Sequence, residues 1–324
     1  MAMLRPLTRY AALCLLCIAL PAAAQQDWPA RAVLMINPFA AGSAVDVVLR
    51  LVAQRLTQNL GQTFVVDNRT GASGNIGTEA AARAKPDGYT FLAGSPGSMA
   101  INPSLFAKLP YDVLKDFTPV VHLVSFPQVL VVNPSLPIRN VDELIAYVRA
   151  RAGKVAFSSS GAGSTSHLVM EMIKADAKLD MVHVPYRGGS PAIQALIAGE
   201  VQVAVEGLPS LPGQIKSGTI RPLAVTSATR SALLPNVPAL AETIPGFDAT
   251  AWVMLFAPAG TPGAVVERMA AESRRALEDA AVRARLAEMG ATIAGAGPAQ
   301  TAALHRRELE KFRRAVQLSG AKPE

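Results

Sequence analysis

Short apolar runs alternate with amphipathic stretches along most of the chain. Residues 32–36 form a run of buried-strand length that stops at Asn37-Pro38. A glycine-containing turn comes next, and Val48, Leu51, Val52 and Leu56 then recur at helical spacing until Gly61. Phe64-Val65-Val66 begins a second strand, a loop over 68–77 leads into an alanine-rich helix ending near Lys85-Pro86, and 89–93 reads as strand again. The rhythm then repeats. Helices are predicted at 141–150, from Ser164, at 191–198 and at 208–216, alternating with strands at 155–157, 181–184, 201–205 and 220–225. After a proline-rich loop come a strand near 251–257 and two helices, the first with Val265, Val266, Met269, Ala270 and Leu277 on one face. A last helix carries Leu309, Phe312 and Val316.

This alternation predicts an α/β fold of mostly parallel sheets flanked by helices. At 324 residues the chain is too long for one ordinary core and suits two domains. Residues 120–132 are almost continuously apolar and β-forming, interrupted by Ser125, Pro127 and Gln128, and resemble a long connection between domains. With 220–226 they make two extended crossings that bracket the inner cycle. Lobe one is therefore expected at 27–121 plus 227–324 and lobe two at 122–226, hinged at the crossings.

The first residues have a different pattern. Arg5 and Arg9 precede an apolar run over 11–20, and Pro21-Ala22-Ala23-Ala24-Gln25 comes after it. A basic start, an apolar run too short to span a bilayer and small residues after it describe a signal peptide at 1–24, removed on export. Leu13 and Leu16, standing before Cys14 and Cys17, do not fit a lipid-attachment site. Both cysteines leave with the leader, so the exported chain has neither disulfide nor thiol nucleophile. Losing Arg5 and Arg9 lowers the formal charge of +7 by two units. Half the residues are hydrophobic and 17% charged, which excludes a disordered chain. No basic run is interleaved with aromatics, so the positive balance suits a small anion better than nucleic acid.

Catalytic signatures are missing: there is no G-x-S-x-G elbow, Walker loop or H-E-x-x-H motif. Gly161-Ala162-Gly163 lacks the third glycine of a dinucleotide loop. His305, beside Arg306 and Arg307, reads as part of a solvated face, while His122 and His183 flank strands as structural hydrogen-bonders. His167 and Glu171 make half a zinc site without the other half. No metal and no cofactor is expected. The informative segments are small-residue turns before helices, at 38–46, 71–77 and 158–166. Each offers backbone N–H groups at the positive end of a helix dipole, with hydroxyls beside them, as a carboxylate or phosphate receptor requires. One such turn alone reads as a capped helix. Three, spread over both domains, point to a shared anion-binding cleft.

Longer segments are more specific. They include Asp67-Asn68-Arg69-Thr70-Gly71-Ala72-Ser73-Gly74-Asn75-Ile76-Gly77, Pro86-Asp87-Gly88-Tyr89-Thr90 and Ile101-Asn102-Pro103-Ser104-Leu105. Further on stand His183-Val184-Pro185-Tyr186-Arg187-Gly188, Arg221-Pro222-Leu223-Ala224-Val225-Thr226-Ser227 and Ala257-Pro258-Ala259-Gly260-Thr261-Pro262. In this order they resemble the Bug (TctC-like) family of periplasmic solute-binding proteins of tripartite tricarboxylate transporters, over essentially all of the exported chain. The resemblance implies a two-lobed Venus flytrap of the type II periplasmic-binding-protein class, a periplasmic location and no catalysis. It implies carboxylic-acid ligands held by main-chain amides and ordered waters, and a monomeric receptor whose partners are membrane permease subunits.

Ligand contacts are expected at Phe39, Ala40, Gly42, Ser43 and Asp46, facing Ser159, Gly161, Ser164 and Thr165, with Ser73, Ser95, Ser98 and Glu206 in second rank. Asp46 can instead brace its own loop, and Glu206 can be a loop-end residue facing solvent. Relative to the family pattern, Gly42-Ser43 replaces Gly-Gly, Met99 stands where many members have His, and Gln202-Val203-Ala204-Val205-Glu206 departs from Asp-x-x-Phe-Asp. Ser43, Met99, Val205 and Glu206 would then read the far end of the ligand. An ionised Glu206 would favour a donor there, such as an amino, hydroxy or amide group. The leading expectation is capture of a small mono- or dicarboxylate for uptake. A ligand-binding sensor of an extracytoplasmic signalling system would use the same flytrap, and an exported hydrolase is the third class.

Overall fold

The computed structural model describes residues 28–322, so the predicted signal peptide lies outside the described residues. The first elements keep to the predicted rhythm: β1 (Val33–Asn37), α1 (Ala44–Leu60), β2 (Phe64–Asn68), α2 (Asn75–Ala82) and β3 (Thr90–Gly94). Ser43 caps α1 by accepting from the Asp46 N–H, and Gly61 ends it with φ +68°. A π-helical turn over Gly97–Ile101 leads into α3 (Asn102–Leu105) and then the 16-residue β4 (Phe117–Val132). The inner cycle runs α4 (Val141–Arg149), β5 (Ala156–Ser159), α5 (Thr165–Ala177), β6 (Val182–Pro185), α6 (Gly189–Ala198) and β7 (Val203–Gly207). The predicted helix at 208–216 is instead a 3₁₀ turn and a short α7 (Pro212–Ser217), because Pro212 cannot donate the bond that would carry one helix through. β8 (Arg221–Val225), β9 (Thr250–Pro258), α8 (Gly263–Glu278), α9 (Ala280–Glu288), β10 (Thr292–Ala296) and α10 (Pro298–Ser319) complete the chain. β10 carries no sequence signal, since its Thr-Ile-Ala-Gly-Ala is small and half-exposed.

Two sheets share one strand. From Phe117 to Pro127, β4 pairs antiparallel with β9, and β10 lies on its other side. From Gln128 to Val132 it pairs antiparallel with β7 and β8 instead. The first sheet is ordered β2-β1-β3-β9-β4-β10 and the second β6-β5-β7-β4-β8. The α/β architecture is as predicted, and β1–β3 and β5–β7 are parallel sets. The pairs made by β4, and that of β9 with β3, are antiparallel, so the sheets are more mixed than the rhythm suggests. The cause is β4 itself. Covered on both faces, it shows no apolar–polar alternation and reads in sequence as a buried linker.

On the first sheet, Val48, Leu49 and Val52 of α1 and Met269 and Leu277 of α8 cover one face. The other face carries Phe312 and Ala315 of α10 against Trp252 and Phe256. The second sheet lies between α4–α5, with Leu144, Val169 and Ile173 on Phe157, and α6, with Ile193 and Leu196.

Three expectations need correction. Leu240, Phe247 and Ala249, expected in the first lobe, pack in the core of the second sheet. The proline-rich loop there has no periodicity from which to read that packing. Phe312 and Ala315 of α10 also share a cluster with Leu168 of α5, because a 22-residue helix is long enough to cross from one sheet to the other. His305, expected on a solvated face, is buried on the α10 stripe with Thr301, Glu308 and Phe312. Its Nε2 donates to the Met99 carbonyl at 2.8 Å, and its ring meets Phe256 edge-on at 5.0 Å.

The sheets meet at one polar knot. Thr226 Oγ1 accepts from the Gln128 N–H at 2.9 Å and donates to the Ala249 carbonyl at 2.6 Å, while the Thr226 N–H donates to Gln128 O at 2.9 Å. Thr226→Val keeps the shape but leaves a buried N–H and a buried C=O unpaired. It should lower unfolding stability by about 1–3 kcal/mol, read as a lower urea midpoint with an unchanged slope.

Candidate functional site

Loops from both sheets converge beyond the carboxyl ends of their parallel strands, the usual ligand crevice of such sheets. They enclose a cavity of about 480 Å³. Phe39, Ser73 and Asn102 form one wall, Gly161, Ser164 and Thr165 the facing wall, and Gln128 and Glu206 line it at the strand crossing. A groove of about 540 Å³ lies elsewhere, between α3 and α10, lined by Phe106, Tyr111, Leu114 and Arg313. It is larger, but none of the three small-residue loops reaches it. The smaller cavity is where those loops meet the strand crossing.

The loop before α5 is organised by its own hydroxyls. Ser164 caps the helix by accepting from the His167 N–H at 3.3 Å. Ser166 Oγ accepts from the Ser160 N–H at 3.0 Å and lies 2.9 Å from Ser160 Oγ and 3.1 Å from Ser164 Oγ. Gly161, at φ +128°, lets the chain turn where an L side chain would be strained. Beneath the loop, the Gly163 N–H donates to His167 Nδ1 at 3.0 Å, which requires a ring unprotonated at that nitrogen. Burial, with the nearby His183 and Lys174, lowers the His167 pKa to about 4 and keeps it so. His167 stacks on His183 at 3.7 Å, and His183 on Phe157 at 4.9 Å. Ser159 Oγ shares a hydrogen bond of 2.6 Å with His183 Nε2, so this expected contact supports the loop from below and does not line the cavity. Glu171 pairs with Lys174 at 2.7 Å, and among the described residues no cluster fits a metal.

The first loop is only partly as expected. Phe39 lines the cavity, whereas Ala40, Gly42, Ser43 and Asp46 do not. Asp46 braces the turn: it is 3% exposed and accepts from the Gly42 N–H, Arg50 Nε and Asn68 Nδ2 at 2.9, 2.9 and 2.8 Å. Burial alone would raise its pKa, but these donors and the Arg50 charge outweigh it and hold the carboxyl at about 2. In the second loop, Gly71 to Gly74 all have positive φ. A Cβ on Gly77 would meet Arg69 O at 2.7 Å and Pro38 Cα at 2.9 Å, so a glycine lets the two loops touch. Asn102 Nδ2 anchors that loop by donating to Ser73 O and Asn75 Oδ1, and the Tyr111 hydroxyl donates to the same Asn75 oxygen.

Ser95, Ser98, Met99 and Val205 are buried and do not line the cavity. The π-turn drives Met99 into the core above Gly94, and strand alternation sends Val205 into the second-sheet core. Glu206 does line the cavity. One oxygen accepts from the Gly207 N–H at 2.8 Å, the other has no hydrogen-bond partner, and burial raises its pKa. Gln128 went unread as a site residue; the one signal was an amide breaking an apolar run.

The His167 pKa sets a pH dependence. The ring is protonated below about 6.5 in the unfolded chain but only below about 4 in the folded one. The unfolded state therefore binds the extra proton between those values, and stability falls as pH drops through that window. His167→Gln, which does not titrate, should show a shallower loss between pH 6.5 and 4 in urea titrations. An equal slope would remove His167 from the pH response.

A family model described as "Tripartite tricarboxylate transporter family receptor" matches residues 48–320. BugT of Bordetella pertussis (strain Tohama I) is 39% identical over 307 residues, 94% of each chain. The solved structure of R. palustris Rpa4515 with adipate is 36% identical at TM-score 0.79, over 92% of this chain and 100% of that one. MatC from Rhodopseudomonas palustris, solved with bound malate, is 32% identical at TM-score 0.74, over 89% and 99%.

Proposed function

Because the chain belongs to the tripartite tricarboxylate transporter receptor family of non-enzymatic periplasmic binding proteins, we propose that it captures a small carboxylate in the cavity at the sheet crossing. It then delivers that acid to membrane permease subunits. The observation that carries this reading is the hydroxyl- and N–H-rich entrance to α5, facing Phe39 and Ser73 across about 480 Å³. Charge-assisted hydrogen bonds of roughly 1.5–3 kcal/mol each replace the water a carboxylate gives up. The α5 dipole adds about 0.3–1 kcal/mol. Adipate and malate in the two related structures support the ligand class. The contacts are Phe39, Ser73, Gly161, Ser164, Thr165 and Glu206. The lobes divide at the Gln128–Thr226–Ala249 knot, residues 1–24 direct export, and the receptor acts as a monomer.

Thr165 is half-buried on the cavity wall, so Thr165→Trp should fill the cavity without touching the core. Calorimetry with mono-, di-, hydroxy- and amino-acids should find a ligand for the wild type. The variant should lose at least about tenfold in affinity while its melting temperature stays within a few degrees. No binding of any acid by the wild type would overturn the reading. Native mass spectrometry of freshly exported protein should show a chain beginning at Gln25, with a small acid retained.

A further inference from the structure

Among the described residues, three buried side-chain polar atoms have no hydrogen-bond partner: Gln128 Nε2, Glu206 Oε2 and Ser273 Oγ. Two of the three belong to residues that line the same cavity. Ser273 lies on α8, away from it. A buried donor left unpaired carries the full cost of its lost hydration, so an orphan beside a cavity points to a ligand atom that pairs it.

Gln128 is the stronger of the pair. It is 3% exposed, and its backbone is already satisfied on both sides by Thr226, so the knot at the crossing does not use the side-chain amide. In the β4–β7 ladder Gln128 stands opposite Gly207, and Val129 opposite Glu206. The two side chains therefore leave neighbouring ladder positions on opposite faces of the second sheet, Gln128 toward α5 and Glu206 toward α6. The Glu206 carboxylate is confined there, since a Cβ on Gly189 at the start of α6 would lie 2.5 Å from Oε2. Both residues line the cavity but approach it from opposite faces of the sheet, so a ligand group that pairs the Gln128 amide does not also pair Glu206.

We propose that Gln128 selects a ligand whose second polar group accepts a hydrogen bond and, because the Glu206 carboxylate lines the same cavity, is uncharged: a hydroxyl or a primary amide. The proposal rests on the reading that this cavity binds a carboxylate. Gln128 donates to the oxygen of that group. An alkyl terminus would leave the Gln128 amide unsatisfied, and a second carboxylate would share the cavity with that of Glu206. Specificity is greatest where a mismatched ligand strands buried polar groups.

Three six-carbon probes separate the cases: hexanoate, adipate and the monoamide of adipate. Calorimetry on the wild type should rank the monoamide above hexanoate by about tenfold or more, and above adipate. Gln128→Met, close in volume and apolar, should bring the monoamide-to-hexanoate ratio toward one. Glu206→Gln should raise adipate relative to the monoamide. Equal affinity of the wild type for monoamide and hexanoate overturns the proposal while leaving carboxylate binding intact. So does a Gln128→Met variant that melts like the wild type and keeps the ratio. Failure of the wild type to bind any acid, these three or the wider panel, would defeat the underlying reading, and this proposal with it.

Discussion

The backbone hydrogen bonds of β4 belong to two sheets at once, and the rest of the molecule depends on that sharing. The ladder to β9 ends at Pro127, and the ladder to β7 begins at Gln128. A proline cannot donate to a ladder, so Pro127 sits where one pairing stops and the next starts. Thr226 and Ala249 close the same point from the returning chain. Few backbone bonds join the two sheets at this point, as a hinge between lobes would require. α10 spans the division as well, since Phe312 packs in one cluster with Phe256 of the first sheet and Leu168 of the inner segment.

The binding loops hang from this frame and are held from behind. Asp46 gathers Gly42, Arg50 and Asn68, fixing the turn after β1. His167 and His183, stacked under the α5 loop, hold Gly163 and Ser159. Neither support lines the cavity. Groups that stiffen a loop from below free its N–H and hydroxyl groups for the ligand and reduce the ordering cost of binding. This explains why residues expected at the cavity, Asp46 and Ser159 among them, are found behind it.

The sequence made the strand–helix order and the small-residue loops legible because both rest on local pattern: apolar spacing for the elements, small residues before a helix for the loops. It could not separate a ligand contact from a brace at Ser43 or Asp46, since a helix cap and an anion site draw on the same residue types. Met99 and Val205 were misplaced because their direction depends on a π-turn and a strand register, and neither has a composition signature. The packing of Leu240 and Phe247 went unread for a related reason. They pack where tertiary contacts send them, with no period in the loop to show it. β4 was legible as a crossing and illegible as a strand, because burial on both faces erases alternation.

Affinity and selectivity fall to different parts of the cavity. In the proposed reading, main-chain N–H groups and serine hydroxyls around Ser160–Ser166 would recognise a carboxylate as such, and small residues would impose little shape on the remainder of the acid. A receptor built only from them would accept many acids. Discrimination needs side chains that are costly to leave unpaired, and at the crossing the protein keeps two, on strands too constrained to turn away. Gln128 is also where β4 passes from one sheet to the next, so a ligand that satisfied its amide would sit at the junction of the sheets. In the proposed reading, recognition of the second polar group and the junction of the two sheets would therefore share one residue.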